Sequence, residues 1–296
     1  LVWDQRVAGS NPAAPTIMRN FKIGIIKIIL LVGSKTILGR GLLRKILIYF
    51  IESIIKTIKF DKSKPLFVTN FYDFKIYYYA DKQTGTKLYF SRNETKEIKF
   101  IKNKIENNSW FVDIGSNIGL YSLNISNINT KYKKVKTFSI EPNPIIFERL
   151  KKNYQLLVSQ NKFVKNNFLL KNCAIGDSEG FGKIDKKVDH ANVKIIKNKK
   201  ININKKFIKI KITKLSYLLK KYKIKNISCI KIDTEGYEFK IIKNFFKKDN
   251  IKFFPKYLIV EHNNEKNYIR NEQIILKNNY EIIFTTNSNT IYKKNG

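Results

Sequence analysis

Cysteine is nearly absent from the sequence, which contains only Cys173 and Cys229. A disulfide framework needs several paired cysteines, and a structural zinc site needs closely spaced cysteine or histidine ligands, so the sequence excludes both classes of protein. Each of the two thiols lies inside an apolar run, where cysteine commonly serves as a small buried core residue. We therefore expect a reducing compartment, and the cytoplasm fits that expectation.

Acidic residues and arginine are also scarce. Against 58 Lys and Arg there are only 23 Asp and Glu, and the formal net charge of +35 is almost entirely due to lysine. Arginine binds phosphate with better geometry than lysine does, yet it is not enriched here. The lysines are spread along the chain instead of forming one patch. Lysine, isoleucine and asparagine, all abundant here, share A/T-rich codons. Coding bias therefore explains the charge better than recognition of a specific nucleic acid, and we expect no such partner.

Long apolar runs are missing from residues 18–60, where charged residues interrupt every stretch well short of the roughly 20 apolar residues that a spanning helix needs. The interrupting residues are Lys27, Lys35, Arg40 and Arg44. The pattern instead predicts a basic amphipathic helical extension, with helical character over 42–58. Two interpretations stay open: a surface helix that makes a peripheral contact with an anionic membrane, or a helix packed on the rest of the protein.

Methionine occurs once, at Met18, and the residues before it differ from the rest of the chain. Residues 1–17 contain no lysine but hold three alanines and two of the six prolines. We expect translation to begin at Met18, with residues 1–17 a spurious upstream segment; a genuine disordered tail is the alternative. N-terminal sequencing of the native protein tests this, because any peptide from residues 1–17 would contradict it.

What the sequence does contain is a clear strand–turn–helix pattern at residues 111–123. Gly115 and Gly119 suit a tight turn that requires positive φ or a close approach to a ligand. The loop lacks the G-x-G-x-x-G of dinucleotide sites, and Asp113 at the strand end would repel a diphosphate. S-adenosylmethionine fits better, because it carries a sulfonium and an ammonium group and no phosphate. An ordinary turn of another α/β protein is the alternative.

Short apolar segments alternate with helical ones across 110–296, which predicts an α/β domain with a mostly parallel sheet covered on both faces. Residues 61–109 precede it and predict a pair of strands and a helix. Ligands of such sheets bind beyond the carboxyl ends of the strands. Four predicted core strands end in an acid, which indicates a site lined by carboxylates. These acids are Asp113, Glu141, Asp233 and Glu261.

Five segments, in this order, resemble motifs of the FkbM-type methyltransferases. They are residues 111–119 (with Ser116 where that family usually has alanine), 138–144, 172–180, 230–238 and 258–261. The resemblance implies the Rossmann-like, seven-stranded sheet of class I methyltransferases, preceded here by an N-terminal helical and β extension that it does not fully cover. It also implies S-adenosylmethionine-dependent O-methylation of a hydroxyl on a sugar, glycan or related metabolite.

By position, the resemblance assigns the methionine end of the cofactor to the glycine turn and the adenine to residues 174–177. It assigns the ribose to Glu141, which also lies roughly as far beyond the turn as the ribose-binding acid of other nucleotide folds. The predicted cofactor site consists of Asp113, Gly115, Asn117, Gly119, Glu141, Asn143, Ala174 and Asp177.

Catalysis on a hydroxyl requires a group that takes its proton. The predicted catalytic residues are Asp233, Glu235 and His262. Glu235 and Glu238 are three residues apart at a predicted helix start, so we expect them to face the same way. Whether a divalent metal takes part is left open, since Asp233, Glu235 and Glu238 would either hold one through oxygen ligands or cap the following helix.

The main rival is an RNA or other nucleic-acid methyltransferase. An amino-methylating enzyme of that class usually carries Asn/Asp-Pro-Pro-Tyr/Phe after the fourth strand, where this chain has residues 233–236, Asp-Thr-Glu-Gly. A second rival is a non-catalytic, membrane- or RNA-associated protein that keeps the fold, although such a protein need not retain all four strand-end acids. The hydroxyl acceptor itself cannot be named from the sequence.

Overall fold

The structure is a computed structural model that describes residues 13–35, 41–57, 64–79, 95–185, 207–262 and 265–296. The chain divides into two compact units, one of Leu1–Phe67 with Tyr78–Ser91 and the other of Val68–Tyr77 with Arg92–Gly296. Of the segments singled out above, residues 1–12, 36–40, 58–63 and 80–94 lie outside the described residues.

The described residues of the first unit form two helices, α1 (Ala13–Lys35) and α2 (Gly41–Thr57). They form an apolar cluster around Ile26 and Ile51, both fully buried. Helix α1 begins before Met18, so the change of composition at that residue is not a structural boundary. Within the described ranges, no helix combines the length and apolar content that crossing a membrane would require.

A two-stranded sheet and a short helix precede the main sheet in the chain. The strands are β1 (Phe67–Phe71) and β2 (Phe74–Tyr78), and the helix is α3 (Thr95–Lys104). The backbone N–H of Tyr77 donates to Asn153 Oδ1 at 2.9 Å, which satisfies an edge donor of β2 within the second unit.

The second unit contains ten further strands and five further helices among the described residues. The strands are β3 (Ser109–Ile114), β4 (Val135–Ile140), β5 (Phe168–Lys171), β6 (Ala174–Ile175), β7 (Gly180–Asp185), β8 (Phe207–Thr213), β9 (Ile227–Ile232), β10 (Tyr257–Glu261), β11 (Tyr280–Thr285) and β12 (Asn289–Lys294). The helices are α4 (Leu120–Ser126), α5 (Pro144–Gln160), α6 (Leu215–Lys221), α7 (Glu238–Phe245) and α8 (Glu265–Lys277).

Seven strands form one sheet in the order β11-β12-β10-β9-β3-β4-β5. All neighbouring pairs are parallel except that β12 runs antiparallel to both β10 and β11. The predicted Rossmann-like, mostly parallel sheet of seven strands is therefore confirmed. Strand order reverses between β3 and β9, and the crevice at such a reversal is where ligands bind in open α/β sheets.

The centre of the sheet is apolar on both faces. Phe111 and Val112 on β3 and Cys229 and Ile230 on β9 are fully buried, as expected for parallel strands covered by helices. Cys173 is buried as well, and both cysteines are free thiols, as predicted. Burial leaves only the strand ends and the loops that follow them available for chemistry.

Candidate active site

A cavity of about 230 Å³ lies at the carboxyl edge of the sheet, where the loops after β3, β4, β9 and β10 meet β6. Four of the predicted cofactor residues line it: Gly115, Asn117, Glu141 and Ala174. Asp233, Glu235 and Glu261 also line it. The alternation of strands and helices therefore brings acids from three strand ends into one space.

The glycine turn after β3 presses against the end of β9. Gly115 has φ +78°, and a Cβ atom placed on it would lie 1.7 Å from the backbone oxygen of Asp233. The neighbouring Asp233 N–H donates to the Ile114 carbonyl at 3.0 Å. Only glycine fits here, because a side chain would push apart the two strands that form the cavity floor.

The second glycine of the turn has a different task. Gly119 has φ +99°, and a Cβ there would approach the side chains of Leu150 and Leu123 to 2.7 and 2.8 Å. Gly119 is not among the residues that line the cavity. The absence of a side chain at Gly119 lets α4 pack closely on α5, and direct contact with the cofactor stays a prediction.

Two backbone N–H groups hold the carboxylate of Glu141 at the edge of the cavity. Its Oε2 accepts a hydrogen bond from the Asn117 N–H at 2.9 Å, and its Oε1 accepts one from the Asn143 N–H at 2.9 Å. Each carboxylate oxygen keeps a lone pair for a further donor. Burial raises the pKa of Glu141 to about 7 despite these bonds.

Asn143 lies beside Glu141 but its side chain serves the helix. The Asn143 Oδ1 accepts from the Ile145 N–H at 3.0 Å and caps α5, with Pro144 at the first helical position. Asp177, at the other end of the predicted site, is also not among the lining residues; its backbone oxygen accepts from Asn244 Nδ2 at 3.2 Å.

Asp113 is not among the residues that line the cavity either, and its contact with the methionine end of the cofactor stays a prediction. Its Oδ2 accepts hydrogen bonds from the Ser122 N–H at 3.1 Å and from the Ser122 hydroxyl. The Ser139 hydroxyl donates in turn to Ser122 Oγ at 2.6 Å. Burial raises the pKa of Asp113. The carboxyl group therefore ties the end of β3 to the first turns of α4 and positions the loop between them.

A lysine inside β9 completes the acidic end of the cavity. Lys231 Nζ lies 2.6 Å from Asp233 Oδ2 and 4.5 Å from the centre of the Tyr121 ring, and its side chain is 3% exposed. A second hydrogen bond joins Asp233 to Glu261. No role was predicted for Lys231 from the sequence. A charged residue inside a continuous apolar strand, here Ile230-Lys231-Ile232, nevertheless indicates a buried charge with a partner.

The charges in this cluster set the protonation of the two acids. Burial acts to raise the pKa of Asp233, but the charge of Lys231 and the hydrogen bonds from Glu261 and Lys231 outweigh it and lower that pKa. Burial and the negative charge of Asp233 raise the pKa of Glu261 to about 10. At neutral pH, Glu261 therefore keeps its proton and donates to an ionised Asp233.

A sequence model of the FkbM methyltransferase domain matches residues 113–282, more than half of the chain. The chain belongs to the FkbM methyltransferase family. The resemblance of its motifs is thereby confirmed, and the protein stands among the S-adenosylmethionine-dependent methyltransferases. No curated protein sequence shows a significant match to the chain.

Solved structures similar to this methyltransferase share little of its sequence. The methyltransferase FkbM of Methylobacillus flagellatus is 15% identical with a TM-score of 0.41, over 86% of this chain and 60% of that one. TYW2 of M. jannaschii in complex with AdoMet is 16% identical with a TM-score of 0.39, over 81% and 90%. The tRNA m1G37 methyltransferase of M. jannaschii is 14% identical with a TM-score of 0.42, over 80% and 57%. The family assignment rests on the sequence match alone.

The acids after β9 do not form the metal site that we considered. Glu238 Oε1 accepts from the Thr234 N–H at 2.7 Å, from the Thr234 hydroxyl at 2.9 Å and from the Gly236 N–H at 3.1 Å. Glu235 is exposed, has φ +53° and precedes α7, so the two glutamates do not share a helix face. In the described part of the chain, no group of three or more His, Cys, Asp and Glu has the arrangement of a metal site. Glu238 instead caps the turn.

His262 follows β10 but is not among the residues that line the cavity. Its Nε2 donates to the Thr286 carbonyl at 3.1 Å, and its ring packs edge-on against Tyr268 at 5.2 Å. These contacts fix the orientation of the ring, and its catalytic role stays a prediction. Of the three predicted catalytic residues, Asp233 and Glu235 lie in the cavity and His262 does not.

Binding of the cofactor by this methyltransferase should depend on pH through Glu141. Ribose hydroxyls donate to an ionised carboxylate more strongly than to a neutral one, and this group ionises near pH 7. We expect the affinity for S-adenosylmethionine to increase from about pH 6 to about pH 8. Glu141→Gln should flatten this dependence, and Glu141→Ala should weaken binding about tenfold or more.

Calorimetric titration at several pH values measures both effects. Asp113→Ala serves as the comparison. It removes a buried carboxyl group that lies at the same edge of the sheet but does not line the cavity. Any loss of cofactor affinity in this variant should therefore come with a lower free energy of unfolding. A pH dependence that persists in Glu141→Gln would show that another group controls binding.

Proposed function

We propose that this methyltransferase transfers the methyl group of S-adenosylmethionine to a hydroxyl of a sugar, glycan or related metabolite. The observation that supports this best is the cluster of Lys231, Asp233 and Glu261 at the edge of the cavity. Its members provide both acceptors and a donor for neighbouring hydroxyls of a polyol. An acidic cavity also repels the phosphate backbone of a nucleic acid, although the chain as a whole is basic.

The residues of the cavity fit the cofactor by their chemistry. The open lone pairs of Glu141 would accept from the two ribose hydroxyls. Ile140 and Ile175 provide apolar walls of the kind that an adenine ring needs. Gly115 and Asn117 of the turn line the cavity and would contact the methionine end. When bound, the cofactor supplies an electrophilic methyl group on sulfur.

Asp233 is the proposed proton acceptor. The acceptor oxygen forms a bond to the methyl carbon as the bond from that carbon to sulfur breaks, and the hydroxyl proton passes to Asp233. Glu261 cannot take this proton at neutral pH because it already carries one. The low pKa of Asp233 suffices, since an alcohol becomes strongly acidic as its oxygen is alkylated.

Lys231 is proposed as a positioning residue for this step. Its Nζ fixes one oxygen of Asp233, and Glu261 provides the second hydrogen bond to the same carboxylate. A carboxylate that is held on two sides keeps its orientation toward the acceptor, which favours reaction from a near-attack geometry. Because both partners are buried or half-buried, the arrangement is also protected from exchange with water.

Methylation of RNA is the second candidate, and the observation that favours it is the net charge of +35. The two functions differ in the acceptor that they label. Purified protein should be incubated with S-adenosylmethionine labelled in the methyl group and with separate fractions of glycans, glycolipids and total RNA. We expect label in a glycan or glycolipid fraction. Robust labelling of RNA with none in either sugar fraction would overturn the proposed acceptor and leave the methyltransferase assignment intact.

A further inference from the structure

Helices α1 and α2 of the first unit display large apolar side chains to solvent. Seven of these residues are between 47% and 72% exposed. They are Met18, Phe21, Ile28, Leu43, Ile46, Tyr49 and Phe50. Single exposed apolar residues are ordinary on protein surfaces, but seven within one helix pair mark a surface that has a partner.

The exposed residues follow the helical repeat. On α2, Leu43, Ile46 and Phe50 are spaced i, i+3 and i+7 and share one face, while Ile51 faces the interior of the unit. On α1, Met18, Phe21 and Ile28 follow the same repeat, and Ile26 is the buried position. Each helix therefore has two apolar sides, one used for packing and one facing solvent.

The same two helices are strongly basic. Exposed basic side chains include Arg19 and Lys27 on α1 and Lys45 and Lys56 on α2. In sequence, α1 contains no acid and α2 contains only Glu52. An exposed apolar stripe accompanied by lysine and arginine is the combination that lies in the interface of an anionic bilayer, with the charges at the headgroups.

We propose that α1 and α2 form a docking surface for an anionic phospholipid bilayer. The surface inserts Phe21, Tyr49 and Phe50 among the headgroups and lies parallel to the membrane. The positive charge of α1 and α2 favours an anionic bilayer over a second copy of the chain as the partner, because two copies would bring like-charged helices together. Docking would hold the methyltransferase at a membrane, where its acceptor hydroxyl would then be found on a lipid-linked or surface-bound molecule.

Flotation of the full chain with vesicles tests the proposal. Vesicles of phosphatidylcholine with phosphatidylserine should bind the protein, and vesicles of phosphatidylcholine alone should bind it much less. Transfer of a phenyl ring from water into the bilayer stabilises membrane binding. Phe21→Asp and Phe50→Asp should therefore each lower the partition coefficient between vesicles and water at least about tenfold. Lys45→Gln with Lys56→Gln should lower it about tenfold on anionic vesicles, and added salt should do the same.

The matched control is Tyr132→Asp, which adds the same charge at an aromatic residue of the second unit that is 82% exposed. It should leave binding unchanged. Thermal melts confirm that all variants fold, which is expected because every substituted side chain is exposed. The proposal is overturned if the wild-type protein does not float with anionic vesicles, or if Phe21→Asp binds as well as Tyr132→Asp. It is also overturned if sedimentation shows a dimer that Phe50→Asp converts to a monomer.

Discussion

Asp233→Asn is expected to lower kcat by about 10²–10⁴-fold, the usual loss when a positioned proton acceptor is removed. The affinity for S-adenosylmethionine should change far less, because the amide keeps the shape of the carboxylate and the lost interaction belongs to the transition state. Steady-state methylation of the acceptor gives kcat, single-turnover methylation gives the rate constant of the chemical step, and calorimetry gives the dissociation constant of the cofactor.

Asp249→Asn is the matched control for this change. Asp249 is an exposed acid of the same unit and does not line the cavity, so the variant loses the same charge without touching the site. An equal loss of kcat and of cofactor affinity in Asp233→Asn would make Asp233 a binding residue. Inhibition by a chelator that divalent ions reverse would assign part of the effect to a metal.

Lys231 provides an independent check on the same cluster. Lys231→Met keeps the length of the side chain and removes the positive charge that lowers the pKa of Asp233. The pH at which activity is lost on acidification should therefore move upward, because Asp233 would be protonated at a higher pH. A variant that is merely less stable would lose activity without this shift.

Gly115→Ala is expected to have the largest effect on the free energy of unfolding. Positive φ costs an alanine about 1–2 kcal/mol, and overlap with packed backbone adds about 1–3 kcal/mol. The overlap is severe because the new Cβ would lie 1.7 Å from the Asp233 carbonyl oxygen. We expect loss of cofactor binding as well, since relief of the contact would move the end of β3 away from the end of β9.

Gly236→Ala separates the cost of positive φ from the cost of overlap with packed backbone. Gly236 also has positive φ, at +99°, but a Cβ there would meet no atom within 4 Å. Urea denaturation should therefore show only the conformational cost for Gly236→Ala, and a clearly larger loss for Gly115→Ala. Equal losses of unfolding free energy in the two variants would contradict this prediction. They would mean that the loop after β3 accommodates a Cβ atom at little cost and that the close approach of β3 and β9 adds little to stability.

The order of strands and helices in the second unit followed from the sequence, because local patterns decide it. Continuous apolar runs such as Ile227–Ile232 require burial on both faces, and the glycine turn after β3 requires positive φ whatever surrounds it. The motifs also predicted the FkbM family, and the match over residues 113–282 confirms that prediction. The acceptor remains a prediction, since it depends on a molecule that no residue pattern names.

The direction of each side chain at the sheet edge was decided by tertiary contacts. Asp113 and Glu141 both end core strands, yet only Glu141 lines the cavity, because a serine on α4 binds Asp113. Glu235 and Glu238 have helical spacing in sequence, but α7 starts only at Glu238, which then caps its own turn.

The sequence by itself determined the chain's family, its fold class and its strand-end acids, because these depend on motifs, composition and local spacing. Only the tertiary structure paired Lys231 with Asp233 and Glu261 and joined His262 to the Thr286 carbonyl. Such pairings join strands that are far apart in the chain. Their protonation depends on burial and on neighbouring charge, which exist only once the sheet has formed.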